Sequence, residues 1–249
     1  MRRFHQLFWQ ESPFLLTHSS LKRRKLNDCH SRSLKFRKIP LDQVYTSPNI
    51  YTIDGFLSET ELLYLERVSE QFPFQQSFVD TPDQKSIRDV EQRTSTFLSL
   101  TKLGNATVAS IERKAADLLG VSLPSIEPLQ LVRYQKGQFF GIHHDLGSLF
   151  VDGSVELPPR QPWARRRLAT LFCYLNDIKS DADGDTGGGG GGCTFFPACG
   201  DLRIRPKRGM AVLFCNILET GMPDPKTIHA GEPVTGDTVK LGLNIWCCE

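Results

Sequence analysis

The chain has 249 residues, 39% of them apolar and 16 of them Phe, enough for the core of one large domain or two small ones. Net charge is +2, but residues 1–40 carry ten Lys/Arg against two Asp/Glu, which leaves twenty against twenty-six in the rest. An acidic body argues against a phosphate-tracking channel, which is built on Lys/Arg contacts, so no nucleic-acid partner is expected. There is no run of about 18 apolar residues, so no membrane span is expected either.

Residues 1–40 form a basic tail or targeting segment. Arg2, Arg3, Lys22, Arg23, Arg24, Lys25 and Lys38 among several Ser fit an organelle transit peptide, a nuclear-localisation cluster and a plain basic tail alike. A secretory signal fits poorly, because Gln6, Gln10 and Glu11 interrupt the apolar run. The chain ends Trp246-Cys247-Cys248-Glu249, which is not an ER-retention tetrapeptide.

A folded body is expected over residues 48–248. Tyr51 to Leu57 reads as a strand and turn. Ser58, with Glu61 three positions on, opens a helix with Leu62, Leu65 and Val68 on one face; Pro73 ends it and a polar loop follows to Glu91. Thr96 to Leu100 reads as a strand. Val108, Ile111, Ala115 and Leu118 predict a second helix over Ala106–Leu119, stopped by Gly120. From Leu129 the pattern turns to short strands: Leu129 to Tyr134, Thr170 to Leu175, Leu202 to Arg205, Met210 to Cys215 and Val239 to Trp246. The last alternates strictly, with Lys240, Gly242, Asn244 and Trp246 on one face. The fold class is therefore mainly β with bracing α-helices, a sandwich or jelly roll.

Two loops stand out. Asp145 to Arg166 is long and adjoins the stretch that carries chemistry, so it is expected to cover substrate. Lys179 to Cys193, with six consecutive glycines, lacks the Lys-Ser/Thr of a phosphate loop and reads as a flexible insertion. Seven cysteines at irregular spacing are neither a disulfide framework nor a zinc site. Cys193 and Cys199 flank a turn, where a pair or two free thiols are both open.

The chemistry lies in Leu131–Asp145, LVRYQKGQFFGIHHD. In an extended strand His143 and Asp145 point to one face and His144 to the other. A divalent metal then needs a further ligand. Of six histidines, His5, His18 and His30 are in the tail, which leaves His229. Two His and one carboxylate make the facial triad of non-haem Fe(II) oxygenases.

Several ordered motifs sharpen this. Tyr134, Gly137, Gln138, Phe140, His143 and Asp145 are followed by Arg167, Ala169 and Thr170; by Tyr174-Leu175-Asn176-Asp177; by Gly191, Gly192, Thr194, Phe196 and Pro197; by Pro206, Lys207, Gly209, Ala211 and Val212; and by His229, Ala230, Pro233 and Val234. Over residues 50 to 247 this resembles the Fe(II)/2-oxoglutarate dioxygenase family, in its prolyl 4-hydroxylase branch. The resemblance implies a double-stranded β-helix with a catalytic core of about residues 127–248. It implies a procollagen-proline 4-dioxygenase type of activity, using Fe(2+), 2-oxoglutarate, O2 and L-ascorbate, on a proline-containing peptide or protein. The implied metal ligands are His143, Asp145 and His229. Lys240 is implied as the cation for the far carboxylate of 2-oxoglutarate; it lies eleven residues after His229 where the family has ten, but keeps the family's six-residue step to Trp246. Tyr134 and Thr194 match co-substrate positions, Arg167 and Trp246 positions near the peptide. Cys193 stands where the family has a Glu that is no metal ligand. Endoplasmic reticulum is the compartment by family analogy. The same core acting on another side chain or on nucleic acid, and a metal-binding interaction module without turnover, are the competing readings.

Overall fold

The computed structural model describes residues 2–9, 40–77, 93–100, 104–157, 165–178 and 191–249. Its helices are α1 (Arg2–Phe8), α2 (Glu59–Gln71) and α3 (Ala106–Leu119). Its strands are β1 (Asp42–Thr46), β2 (Asn49–Ile53), β3 (Gln75–Gln76), β4 (Thr96–Ser99), β5 (Gln130–Tyr134), β6 (Phe140–His143), β7 (Ser148–Leu149), β8 (Val155–Glu156), β9 (Arg167–Tyr174), β10 (Thr194–Phe196), β11 (Leu202–Ile204), β12 (Ala211–Cys215), β13 (His229–Gly231) and β14 (Lys240–Cys248).

A larger sheet has the order β1-β2-β12-β9-β14-β5-β4-β3 and a smaller one β11-β10-β13-β6. From β5 onward the chain passes between them, and the pairings are antiparallel. This is the expected double-stranded β-helix, or jelly roll, widened at one edge by β1 and β2 and at the other by β3 and β4.

The larger sheet has apolar residues on both faces because it separates two cores. Ala169, Leu171, Cys173, Leu213, Leu243 and Ile245 face the helices, against Leu62, Leu65, Val108, Ile111 and Ala115. Val132, Phe172, Tyr174, Val212 and Phe214 face the smaller sheet, against Phe196 and Ile204. Runs such as Ala211–Cys215 thus satisfy both sides at once, which is why they lack a polar alternation.

The helix signals act as their chemistry requires. The Ser58 side chain accepts from the Glu61 backbone while the Glu61 carboxylate accepts from the Ser58 N–H, a closed capping box. Asn105 caps α3, and Gly120 ends it in the left-handed conformation.

Four differences from the expectation have physical causes. First, the opening of the basic segment is not a free tail. Phe4 and Phe8 of α1 are buried in the helix-side core. Asn49 Nδ2 donates to the carbonyls of Leu7 and Phe8, and the Tyr51 hydroxyl donates to Leu7 O at 2.6 Å, satisfying the end of α1. Residues 10–39, with the Lys22–Lys25 cluster, lie outside the described residues. Second, Asp145 does not share a strand with His143: β5 ends at Tyr134 as expected, a turn at Gly137 follows, and β6 ends at His143. Third, the loop after Asp145 contains the β7–β8 hairpin, and its residues 158–164 lie outside the description. Fourth, the last two glycines of the Gly-rich run are structural. A Cβ on Gly191 would lie 2.0 Å from Pro233 O, and its φ is +59°, so only glycine lets this backbone meet the segment after β13. Gly187 to Gly190 are outside the described residues.

Candidate metal centre and co-substrate pocket

Strand pairing brings the metal-ligating groups together. In the β6–β13 pair His229 lies opposite His143. Asp145 sits two residues beyond, past the end of β6, where His144 bridges to Gly147 and turns the chain. Ligand atoms of His143, Asp145 and His229 all lie within 4.8 Å of one another. His143 Nε2 is 3.6 Å from Asp145 Oδ1, and His229 Nε2 is 3.8 Å from Asp145 Oδ2.

Each imidazole is oriented by its own backbone. His143 Nδ1 is 2.9 Å from Gly141 O, and His229 Nδ1 is 2.9 Å from Thr227 O. A carbonyl only accepts, so each Nδ1 carries the proton and each Nε2 presents a lone pair inward. Burial and the neighbouring His143 push the His229 pKa down to about 3, so it stays neutral and ligand-competent at neutral pH. Burial alone would raise the Asp145 carboxyl. Its neighbours His143, His229 and Arg167 outweigh this and hold it well below the usual carboxylate range. Two neutral imidazoles and one carboxylate on one side fit a divalent iron.

Asp145 is fixed by Thr170, which the sequence did not single out for a role, and by Trp246, expected near the peptide. Thr170 Oγ1 donates to Asp145 Oδ2 at 2.5 Å, and Trp246 Nε1 donates to the same oxygen at 3.2 Å. Asn216 Nδ2 in turn donates to Thr170 Oγ1. Both donors to Asp145 take Oδ2, which leaves Oδ1 as its free ligand atom. The R-x-A-T motif contained Thr170; alternation with Phe172 and Tyr174 along β9 is the signal that places it on the cavity side.

The cavity is lined by Tyr134, Thr170, Phe172, Thr194, Lys240 and Trp246 besides His143, Asp145 and His229. Lys240 is 1% exposed. Its ammonium meets aromatic rings, Tyr134 at 4.9 Å, Phe172 at 5.4 Å and Tyr174 at 5.8 Å, and no carboxylate pairs with it among the described residues. Burial pushes its pKa down to about 8. Holding a cation there costs the ligand-free fold roughly 3 kcal/mol at neutral pH, so Lys240 is poorly explained by stability alone. A bound carboxylate would supply the missing counter-charge. Thr194 Oγ1 is bonded to the Tyr174 hydroxyl at 2.7 Å. Burial raises the Tyr134 phenol, which therefore stays a protonated donor.

Of the two residues expected near the peptide, Trp246 lines the cavity and Arg167 does not. The Arg167 guanidinium pairs with Glu127 at 3.0 Å and stacks on the Trp246 ring at 3.6 Å, so it braces Trp246 from behind. His144 points away from the site, as expected, into a buried cluster with Asp224 O and Thr227. Cys193 and Cys199 are both free and buried.

Residues 129–248 match the family model described as the 2OG-Fe(II) oxygenase superfamily. Prolyl 4-hydroxylase 1 of Arabidopsis thaliana is 28% identical over 228 residues, 86% of this chain and 74% of that protein. Probable prolyl 4-hydroxylase 3 of the same plant is 28% identical over 205 residues, and the chain spans 65% of its length. Among solved structures, the viral collagen prolyl hydroxylase of Paramecium Bursaria Chlorella virus-1 in its 2OG complex is 26% identical. Its TM-score is 0.57, over 82% of this chain and 98% of that one.

Proposed function

This chain belongs to the 2OG-Fe(II) oxygenase superfamily, in its prolyl 4-hydroxylase branch, and we propose that it hydroxylates peptidyl proline to 4-hydroxyproline while 2-oxoglutarate is decarboxylated to succinate. The observation that carries this reading is one cavity with two unlike ends. One end holds the His143, Asp145 and His229 cluster, and the other a buried Lys240 with which no carboxylate pairs among the described residues.

Iron with 2-oxoglutarate and O2 supplies the oxidising chemistry. The chain's part is to bind and orient. His143, Asp145 and His229 would hold the iron, and their partners Gly141, Thr227, Thr170 and Trp246 keep the side chains aimed. Lys240 takes the far carboxylate of 2-oxoglutarate, with the Tyr134 and Thr194 hydroxyls beside it. Phe140 stacks on His143 at 3.5 Å and Phe214 meets His229 at 4.8 Å, keeping water from the far side of both rings. Arg167, held by Glu127, supports Trp246 at the wall where a peptide would lie. Ascorbate is the reductant that this reading implies. The substrate is a proline-containing peptide or protein, as the names of the relatives suggest for those proteins.

The test is 2-oxoglutarate consumption by the full chain with Fe(II) and ascorbate, with and without proline-rich peptides, and with His143→Ala as control. Peptide-stimulated succinate formation that His143→Ala abolishes is expected. Metal binding without succinate formation would instead support an interaction module.

A further inference from the structure

One wall of the co-substrate pocket owes its place to a glycine. The inner face of β9 reads Thr170, Phe172, Tyr174. Thr170 bonds Asp145 at the metal end, and Tyr174 lies 5.8 Å from the Lys240 ammonium at the other. Phe172 stands between them along the strand, with its ring 5.4 Å from the same ammonium. On β14, Gly242 lies opposite Tyr174 and Asn244 opposite Phe172.

The Phe172 ring leans diagonally over Gly242. A Cβ there would lie 2.4 Å from its Cζ and 2.9 Å from its Cε2. Gly242 is not in the left-handed region, so its backbone conformation does not demand glycine. What demands it is room for the ring. Seated in this notch, Phe172 meets Tyr174 edge-on at 5.2 Å and lines the cavity between its two ends.

We propose that Phe172 and Gly242 act as a paired length gauge for the co-substrate, admitting the five-carbon 2-oxo diacid in preference to its six-carbon homologue. A ligand anchored at both ends must pass its methylene carbons along the Phe172 ring, whose height above the sheet is set by the notch. Filling the notch lifts the ring into that path. Shrinking the ring leaves space in which a longer chain can fold. The inference rests on the dioxygenase reading, which fixes the two anchors.

The experiment is calorimetric titration of the full chain, loaded with redox-inert Zn(II), with 2-oxoglutarate and with 2-oxoadipate. Gly242→Val is expected to weaken 2-oxoglutarate binding about tenfold or more, one methylene in a tight pocket being worth about that much. Its Zn(II) affinity should stay within about twofold, since the metal ligands are untouched. Phe172→Leu, which conserves apolar character, should raise the 2-oxoadipate to 2-oxoglutarate affinity ratio about tenfold. The double variant should bind 2-oxoglutarate within about threefold of wild type, the signature of a coupled pair.

Unchanged 2-oxoglutarate affinity in Gly242→Val, an unchanged ratio in Phe172→Leu, or a double variant no better than Gly242→Val would each overturn the gauge alone. If Gly242→Val does not fold, the Phe172→Leu ratio decides. Wild-type protein that binds Zn(II) but neither diacid would overturn the dioxygenase reading, and the gauge with it.

Discussion

Asp145 meets two donors on one oxygen, and this makes Thr170 testable on its own. Removing its hydroxyl in Thr170→Val should lower Fe(II) or Mn(II) affinity about 10-fold to 100-fold, the usual cost of losing a partner behind a metal ligand. A metal titration that shows no change would contradict the positioning role. Lys240 gives a pH prediction. Its ammonium titrates near pH 8, and only the charged form pairs with a carboxylate. Affinity for 2-oxoglutarate should therefore be full below that value and fall as pH rises through it. In Lys240→Met the affinity should be about 10-fold to 100-fold weaker and lose this pH dependence. The ligand-free fold has the opposite sign: it should gain stability between about pH 8 and the ordinary lysine range, where only the unfolded chain still holds the proton.

His143 and His229 were legible because only six histidines compete, and Asp145 and Lys240 because the motifs run in order, with Asp145 two residues after His143 and Lys240 six before Trp246. Thr170, Asn216, Phe172 and Gly242 were not. Hydroxyl, amide and apolar residues are common in strands, and their meaning appears only once register sets Gly242 beside Phe172 and Thr170 beside Asp145.

At the scale of elements, α2 and α3 were read almost to the residue because caps are local chemistry: Ser58 with Glu61, and Gly120. Strand ends were read less well. β9 starts at Arg167, not Thr170, because Arg167 pairs with Cys248 across the sheet, and no local signal reports a distant partner. The same reason hid α1. Its sequence looks like part of a basic tail, but Phe4 and Phe8 fill a gap in the helix-side core, with Asn49 and Tyr51 bonded to its last carbonyls. Phe4→Ala should cost about 3–5 kcal/mol in denaturant unfolding, with 2-oxoglutarate affinity of the folded protein unchanged. A loss under about 0.5 kcal/mol would show that α1 is not part of the stable body.

Across the whole molecule, the larger sheet is the divider. One face carries the helices and stability, and the other carries the cavity. That division explains why the fold class was legible from composition and pattern: long apolar strands beside two amphipathic helices already imply a sheet covered on both faces. Strand order was not legible, because β12 lies between β2 and β9 and β14 between β9 and β5, partners far apart in the chain. The order nevertheless places the site. β13 beside β6 makes the metal cluster, and β14 beside β5 puts Lys240 opposite Tyr134. No helix among the described residues is long and apolar enough to cross a membrane.

The central claim is that these two ends serve one reaction on proline. Its most direct test is mass spectrometry of a proline-rich peptide incubated with the full chain, Fe(II), ascorbate and 2-oxoglutarate under isotopically heavy O2. One heavy oxygen at C4 of proline, matched by one succinate formed and lost in His229→Ala, is the result predicted. Succinate formation that the peptide does not stimulate, with no heavy oxygen on any proline, would contradict it.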